Sequence, residues 1–299
     1  MKVAVIPAST QTGRATIKTL LDSSSASSVV GIYRDLTKAP ADFKSNSHFK
    51  AASGDVADSS SLDFSGIDVV VVVTPPQYTE NDPVSRARLF AQNIKQAIAK
   101  AASVKRIVYI SSAGAQHENG TGEIKTNYVT ERELEDAAPE IVFIRCAYFM
   151  ENWASQLETL KSDSPFFRSV ASPASLAFPQ VSVADIGKTA AARAVQPSPL
   201  EVDPCIIDLH GPREYSALDV QKAFEEVLGT EVQLRVIEPD QLENYYGHVL
   251  PPAVAELFTE MTKSFLAGGI LYTDPLDPAS DVEKGSVTLV DAFRTMVGR

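Results

Sequence analysis

Cysteine is scarce: the 299-residue chain has two, Cys146 and Cys205, each with apolar residues close by. That excludes a disulfide-stapled scaffold and predicts two buried thiols in a reducing, cytoplasmic setting. No Cys/His spacing suits a metal, so none is expected. Long hydrophobic runs are missing too. The longest, Val69 to Val73 with its neighbours, is far too short to cross a bilayer, so no membrane association is expected. The apolar start, Met1 to Pro7, lacks both a basic lead and a small-residue cleavage site, and reads as a first strand. Nor is there a Lys/Arg stripe. With a net charge of −11 the chain is a poor partner for nucleic acid, whose phosphates require dense positive charge. Acidity does not exclude an anionic ligand, because one local pocket can reverse the average field. Internal repeats are absent, and Ser23 to Ser28 reads as a serine-rich loop.

What is present is ordinary globular composition, 44% hydrophobic and 22% charged. Lys2 to Ile6, Val29 to Tyr33, Val69 to Val73, Arg106 to Ile110 and Ile141 to Ile144 are Val/Ile-rich without alternation. Strands of that kind are buried on both faces, as in a parallel sheet covered by helices. Thr12 to Leu21, Asn81 to Ala101 and Lys125 to Asp136 carry helical spacing between them. The alternation predicts an α/β fold, a Rossmann-type doubly wound parallel sheet. After Asn152 the regularity fades. Short strand candidates (Val181 to Val183, Cys205 to Leu209, Val232 to Ile237) mix with helices Asp185 to Val195 and Ala217 to Leu228. Aromatic residues and prolines cluster there. We therefore divide the chain into a nucleotide-binding part, residues 1–152, and a smaller C-terminal α+β part, residues 153–299, that covers a small-molecule substrate. The oligomeric state is not legible.

The first strand runs into Pro7-Ala8-Ser9-Thr10-Gln11-Thr12-Gly13-Arg14. In nucleotide folds this turn sets helix N-terminal amides under a pyrophosphate, and three glycines let the backbone come close. Only the third, Gly13, is present; Pro7 and Thr10 stand at the other two positions. Pro7 fixes φ and removes a donor, while Thr10 either obstructs the phosphate or donates its hydroxyl to it. The alternative is a strand-to-helix turn that binds nothing. The second strand ends in Tyr33-Arg34-Asp35, with Lys38 beyond. An acidic residue there suits the ribose of NAD and a basic one the 2′-phosphate of NADP, so Arg34 and Lys38 favour NADP(H). The adjacent Asp35 weighs the other way, and a solvated surface pair is the plainer alternative.

These residues resemble the NmrA-like family of atypical short-chain dehydrogenases/reductases, which includes NADPH quinone oxidoreductase-like proteins. The resemblance runs along nearly the whole chain. It is carried by the Ala8-to-Arg14 turn, Gly54-Asp55-Val56, Val73-Thr74-Pro75-Pro76 and Tyr109-Ile110-Ser111-Ser112. It continues through Tyr148-Phe149-Met150-Glu151-Asn152-Trp153, Val181 to Gly187 and Gly211 to Ser216. It implies a turn at Thr10, Gln11, Thr12 and Gly13 that holds the cofactor, with Asp55 and Val56 beside the adenine. Thr74, Pro75 and Pro76 then line the cofactor's middle, and Ser111, Ser112 and Phe149 to Asn152 surround the nicotinamide end. Plain core packing is the alternative for Phe149 and Trp153.

Candidates for proton chemistry are few. A typical short-chain dehydrogenase uses a Tyr with a Lys four residues on. Tyr128-Val129-Thr130-Glu131-Arg132 has Arg in that place. The family register instead puts Asn127 toward the substrate and Glu131 where some members carry Lys. His117, after the fifth strand, lies near the expected nicotinamide edge, with an exposed loop position as its alternative. His248, beside Tyr245 and Tyr246, is in reach of a pocket, and His48 reads as surface. Three function classes follow: an NADPH-dependent reductase of a small conjugated or aromatic carbonyl, quinone or imine; a redox-responsive regulatory protein that binds NADP without turnover; and a non-redox isomerase or cyclase in an inherited pocket.

Overall fold

A strand can be apolar on both faces only where both faces are covered, and the run of five valines from Val69 to Val73 meets that condition. Val69, Val71 and Val73 pack on one side of a sheet, Val70 and Val72 on the other, and all five are buried. The computed structural model describes every residue except Ser24, Asp274, Pro275, Pro278, Ala279 and Arg299. Ser24, within the serine-rich stretch, thus lies outside the described residues. The first half contains β1 (Lys2–Ile6), α1 (Gln11–Ser23), β2 (Ser28–Tyr33), α2 (Ala41–Lys44), β3 (Phe49–Ser53) and β4 (Val69–Val73). It continues through α3 (Pro83–Ala101), β5 (Arg106–Ser112), α4 (Lys125–Leu134) and β6 (Glu140–Cys146). Then come β7 (Tyr148–Phe149), α5 (Leu157–Leu160), β8 (Phe166–Ser169), β9 (Ala177–Val181) and α6 (Val183–Val195). Next are β10 (Cys205–His210), β11 (Glu214–Ser216), α7 (Ala217–Leu228), β12 (Gln233–Val236) and α8 (Leu242–Gly247). The chain closes with α9 (Pro252–Phe265), α10 (Ile270–Thr273), β13 (Asp281–Lys284) and α11 (Leu289–Val297).

Among the described residues the main sheet has eight strands, all parallel, ordered β13-β10-β6-β5-β4-β1-β2-β3. The chain starts at β1, runs outward to β3, then reverses through β4 to β6. Ligands of such sheets lie beyond the strands' carboxyl ends at the reversal, here between β1 and β2 on one side and β4 and β5 on the other. Ile17 and Leu20 of α1 share one core with Ile186 and Ala190 of α6. Phe90, Ile94 and Ile98 of α3 share the opposite one with Leu134 of α4. This is the doubly wound α/β fold.

The C-terminal half departs from the expectation in three places. The Cys205 strand and the charged strand Asp281–Lys284 belong to the main sheet beside β6. The segment Val181 to Val183 is not a strand: β9 ends at Val181, Ser182 caps α6 by accepting from the Asp185 amide, and Val183 is already helical. Of the two thiols only Cys146 is buried; Cys205 is half-exposed. The rest of this half forms a three-stranded sheet (β11-β9-β7), the pair β12-β8 and the packed helices α7 and α11, where Phe224 stacks on Phe293 at 4.2 Å. The α8–α9 pair adds a separate apolar cluster.

Two buried polar side chains join distant parts of the chain. Arg106 pairs with Glu140 and donates to the carbonyls of Arg193 and Gln196, closing the C-terminal end of α6. Asp185 accepts from the amides of Ser286 and Val287, fixing the segment after β13 against the start of α6. Helices α1 and α6 cross at Gly187, where an added Cβ would stand 2.6 Å from the carbonyl carbon of Ala15. Gly187→Val should therefore lower the denaturant midpoint at unchanged slope, by the ~1–3 kcal/mol typical of an overpacked contact, as read by urea unfolding.

Candidate functional site

The turn after β1 is tied by Thr10. Its hydroxyl donates to the Pro7 carbonyl at 3.0 Å and accepts from the Gly13 amide at 3.1 Å. The hydroxyl hydrogen thus points into the turn, and Thr10 serves as the N-terminal cap of α1. A Cβ on Gly13 would lie 2.7 Å from that oxygen and 2.8 Å from the Pro7 carbonyl, so the third glycine is required by the turn itself. The next two amides, of Gln11 and Thr12, have no partner among the described residues. They begin a thirteen-residue helix with no acidic residue in its first turn.

Cations gather on the neighbouring edge. Arg34 and Lys38 are both exposed after β2. Asp35 between them is committed: its carboxylate accepts from the Thr37 amide and hydroxyl, and those bonds hold it below the usual carboxylate range. Arg14, one residue past Gly13, is exposed and lies close enough to Tyr33 for its charge to oppose the burial that raises that phenol. The Tyr33 hydroxyl is buried without a hydrogen-bond partner among the described residues. After β3, Asp55 accepts from the Ala57 amide, and Val56 is buried with its carbonyl bonded to Asn93.

The floor beyond β5 and β6 is ionic. Glu131 and Arg145 are both fully buried and meet in a two-point pair at 3.0 and 2.7 Å. Ser111 donates its hydroxyl to Glu131 at 2.6 Å, and Arg145 also reaches Asp277 at 2.8 Å. Ser111 therefore turns its hydroxyl into this pair, while the Ser112 hydroxyl donates to the Ala113 carbonyl. The register of α4 sets the cleft side. Asn127 donates to the buried Tyr109 hydroxyl at 2.9 Å, and that hydroxyl meets Thr74 at 2.7 Å. Burial drives the Tyr109 phenol far above its ordinary value. Tyr128 points elsewhere: the Arg132 guanidinium sits 5.8 Å from its ring centroid and pairs with Glu135 at 2.9 Å. Arg132 thus lies over the ring face and is already paired. Of Thr74-Pro75-Pro76, the first two residues are half-buried and Pro76 is exposed. His117 is half-buried in the loop after β5, next to Gln116, whose side-chain amide is buried without a partner among the described residues.

Aromatic residues wall the opposite side. Tyr148 packs edge-on against Phe178 at 5.7 Å, and Phe178 stacks on Phe265 of α9 at 5.5 Å. Tyr78 and Tyr246 each meet Phe258 of α9 at 5.7 Å. Tyr148 is close enough to Tyr245, Tyr246 and Tyr78 to feel their charge, and its phenol, raised chiefly by burial, hydrogen-bonds Asn152. Phe149 packs against the main core, and Trp153 donates to buried Gln180. Both side chains are packing residues in this sense. His48 is exposed, and His210 is half-buried with its pKa lowered by burial and by Lys284. His248 is exposed on an open groove of about 850 Å³ that it shares with Tyr245, Arg168 and Asp240.

The family profile described as NAD(P)H-binding matches residues 8–191, more than half of the chain. The chain belongs to this NAD(P)H-binding family. No curated protein sequence matches it. Solved structures do. The triphenylmethane reductase of Citrobacter sp. superposes with a TM-score of 0.75 at 18% identity, covering 100% of both chains. The NADPH-dependent quinone oxidoreductase of Escherichia coli, solved with NADPH, gives 0.72 at 19%, covering 99% of this chain and 100% of that one. A nucleoside-diphosphate-sugar epimerase from Staphylococcus aureus gives 0.71 at 16%, covering 97% and 99%. At such identities the likeness is one of fold.

The residues present fit the family's ligand. Two unpaired helix amides and three exposed cations after β1 and β2 provide donors and charge for a phosphorylated ribose. Sequence reading missed Arg14, Tyr109 and Gln116 as well as the tyrosine wall. Arg14 carried a signal, since it directly follows Gly13; the others depend on distant contacts. Two outcomes are expected. Thr10→Ala should cost ~1 kcal/mol through the lost helix cap, read by thermal unfolding. Glu131→Ala should cost ~3–5 kcal/mol, because it strands a buried guanidinium, read by urea unfolding.

Proposed function

We propose that the chain is an NADPH-dependent reductase of a small conjugated or aromatic carbonyl, quinone or imine. The observation that carries this reading is that exposed Arg14, Arg34 and Lys38 follow the adjacent strands β1 and β2, at the same sheet end as the unpaired amides of Gln11 and Thr12. Arg34 and Lys38 would hold the 2′-phosphate with Arg14 behind them, and the α1 amides the pyrophosphate. Asp55 and Val56 would flank the adenine; Thr74, Pro75 and Pro76 the middle; Ser112, Phe149 and Asn152 the nicotinamide end, with Ser111 fixed behind them. The bound dihydronicotinamide supplies hydride to the acceptor.

The chain's own residues orient and enclose that acceptor. Residues 1–152 would carry the cofactor and 153–299 the cover. Tyr78, Tyr148 and Tyr246 with Phe258 offer flat faces suited to a conjugated molecule. Two proteins of this fold are named for reducing a quinone and triphenylmethane compounds, which is consistent with such a lining. Asn127, bonded to Tyr109 at the cleft, is the better placed of the two α4 candidates to orient the acceptor. His117, near the same edge, is the remaining candidate.

Calorimetric titration tests the cofactor. NADPH should bind more tightly than NADH, and Arg34→Ala should weaken NADPH by tens-fold, the equivalent of ~2 kcal/mol, with little effect on NADH. Equal losses for both would show that Arg34 does not read the 2′-phosphate. For chemistry, Asn127→Ala should slow single-turnover quinone reduction more than Tyr128→Phe, which should fall short of the ~10²–10⁴-fold loss typical of a general acid. Binding without turnover of any quinone, enone or iminium compound would favour the regulatory reading, for which the replaced loop glycines speak.

A further inference from the structure

Reduction of a carbonyl or quinone requires a proton as well as a hydride, and the two tyrosines of β5 and α4 are poor donors. Tyr109 is locked between Thr74 and Asn127 with its phenol far above the ordinary range. Tyr128 lies beneath an arginine already paired. Glu123, one helical turn before Asn127, differs from both. It is half-buried in a short 3-10 turn, Gly122–Ile124. Its carboxyl lies 3.4 Å from the buried Thr126 hydroxyl, which is also 3.4 Å from the Asn127 side-chain oxygen Oδ1, so its one hydrogen serves one acceptor or the other. Asn127 in turn holds the Tyr109 hydroxyl. A polar chain thus runs from Glu123 through Thr126 and Asn127 to Tyr109 and Thr74 at the ends of β4 and β5.

The carboxyl lies within electrostatic reach of Tyr78 in the aromatic wall. Gly122, at positive φ, lets the turn press against α9; a Cβ there would lie 2.0 Å from the Leu257 carbonyl oxygen. The charged residues of α9, Glu256, Glu260 and Lys263, are exposed. On α4, Lys125 donates to Asn119, and Glu131 is paired with Arg145. The titratable group within electrostatic reach of Glu123 is Tyr78, whose ring meets Phe258 of α9.

We propose that Glu123 is the proton donor to the reduced acceptor, with Thr126 and Asn127 as its positioning residues. This rests on the reductase reading above. The acceptor carbon gains hydride from the dihydronicotinamide, which is oxidised. The acceptor oxygen forms an O–H bond with the Glu123 proton, and the Glu123 carboxylate then takes a proton from solvent. Burial supports the role by pushing the carboxyl up to about 7, which keeps it protonated at lower pH.

The sign of the pH dependence follows. Quinone turnover with NADPH, as kcat/KM, should be full below about pH 7 and fall above it. Glu123→Gln should lose ~10²–10⁴-fold and abolish that limb, with NADPH affinity retained, while Glu123→Asp should keep the limb. Independently of activity, carbon-13 NMR of labelled glutamate in the cofactor-free protein should show one carboxyl titrating near 7 that Glu123→Gln removes. A rate that rises above pH 7 for cationic iminium acceptors would mean that Glu123 acts as an anion and would overturn the proposal. So would unaltered turnover in Glu123→Gln, or no carboxyl titrating above the ordinary range. Absence of turnover in the unaltered protein with every acceptor would overturn the reductase reading itself.

Discussion

The cleft depends on one buried ion pair. Glu131 and Arg145 lie on α4 and β6, and neither is tolerable in the interior without the other. Their two-point contact fixes the rotation of α4 against the sheet. Once Glu131 faces inward, Thr130 and Asn127 follow onto the same side, and Asn127 meets Tyr109. Tyr128 is carried to another face by the same rotation. The pair also fixes Ser111 at the end of β5 and, through Asp277, the segment entering β13.

The phosphate turn shows how a strand-to-helix junction persists with one glycine of three. Thr10 replaces backbone freedom with a side-chain cap, using both hydrogen-bonding capacities of its hydroxyl within the turn. The obstruction expected from its branched side chain is thereby reduced, since the oxygen folds toward Pro7. Gly13 stays indispensable for a local reason: Thr10 and Pro7 occupy the space any side chain there would need.

Much of the fold was legible because parallel strands covered on both faces show as uninterrupted apolar runs, as in Val69–Val73. Asp281–Lys284 was not, because it closes the sheet as an edge strand with charged, largely exposed residues and has no such run. The start of α6 was misjudged because Val181-Ser182-Val183 reads as β-branched sequence, whereas the Ser182 cap makes the second valine helical. In the candidate site, the exposed position of Arg34 was legible from its place at a strand end. Tyr109 and Glu123 were not. A tyrosine within a strand and a glutamate within a glycine-rich loop become unusual only through what burial does to them, and burial is set by α4 and α9 from far along the chain.

The joining of β10 to β6 bears on how the molecule is made. During synthesis, β6 emerges with one edge unpaired, and the strand that covers it begins only at Cys205. Until then the nascent sheet exposes the backbone of an almost wholly buried strand, the kind of edge that recruits other chains. Arg106 carries the same delay, since the carbonyls of Arg193 and Gln196 arrive late. Folding of the first half alone is thus provisional, and the ribosome must deliver most of the second half before the sheet is sealed.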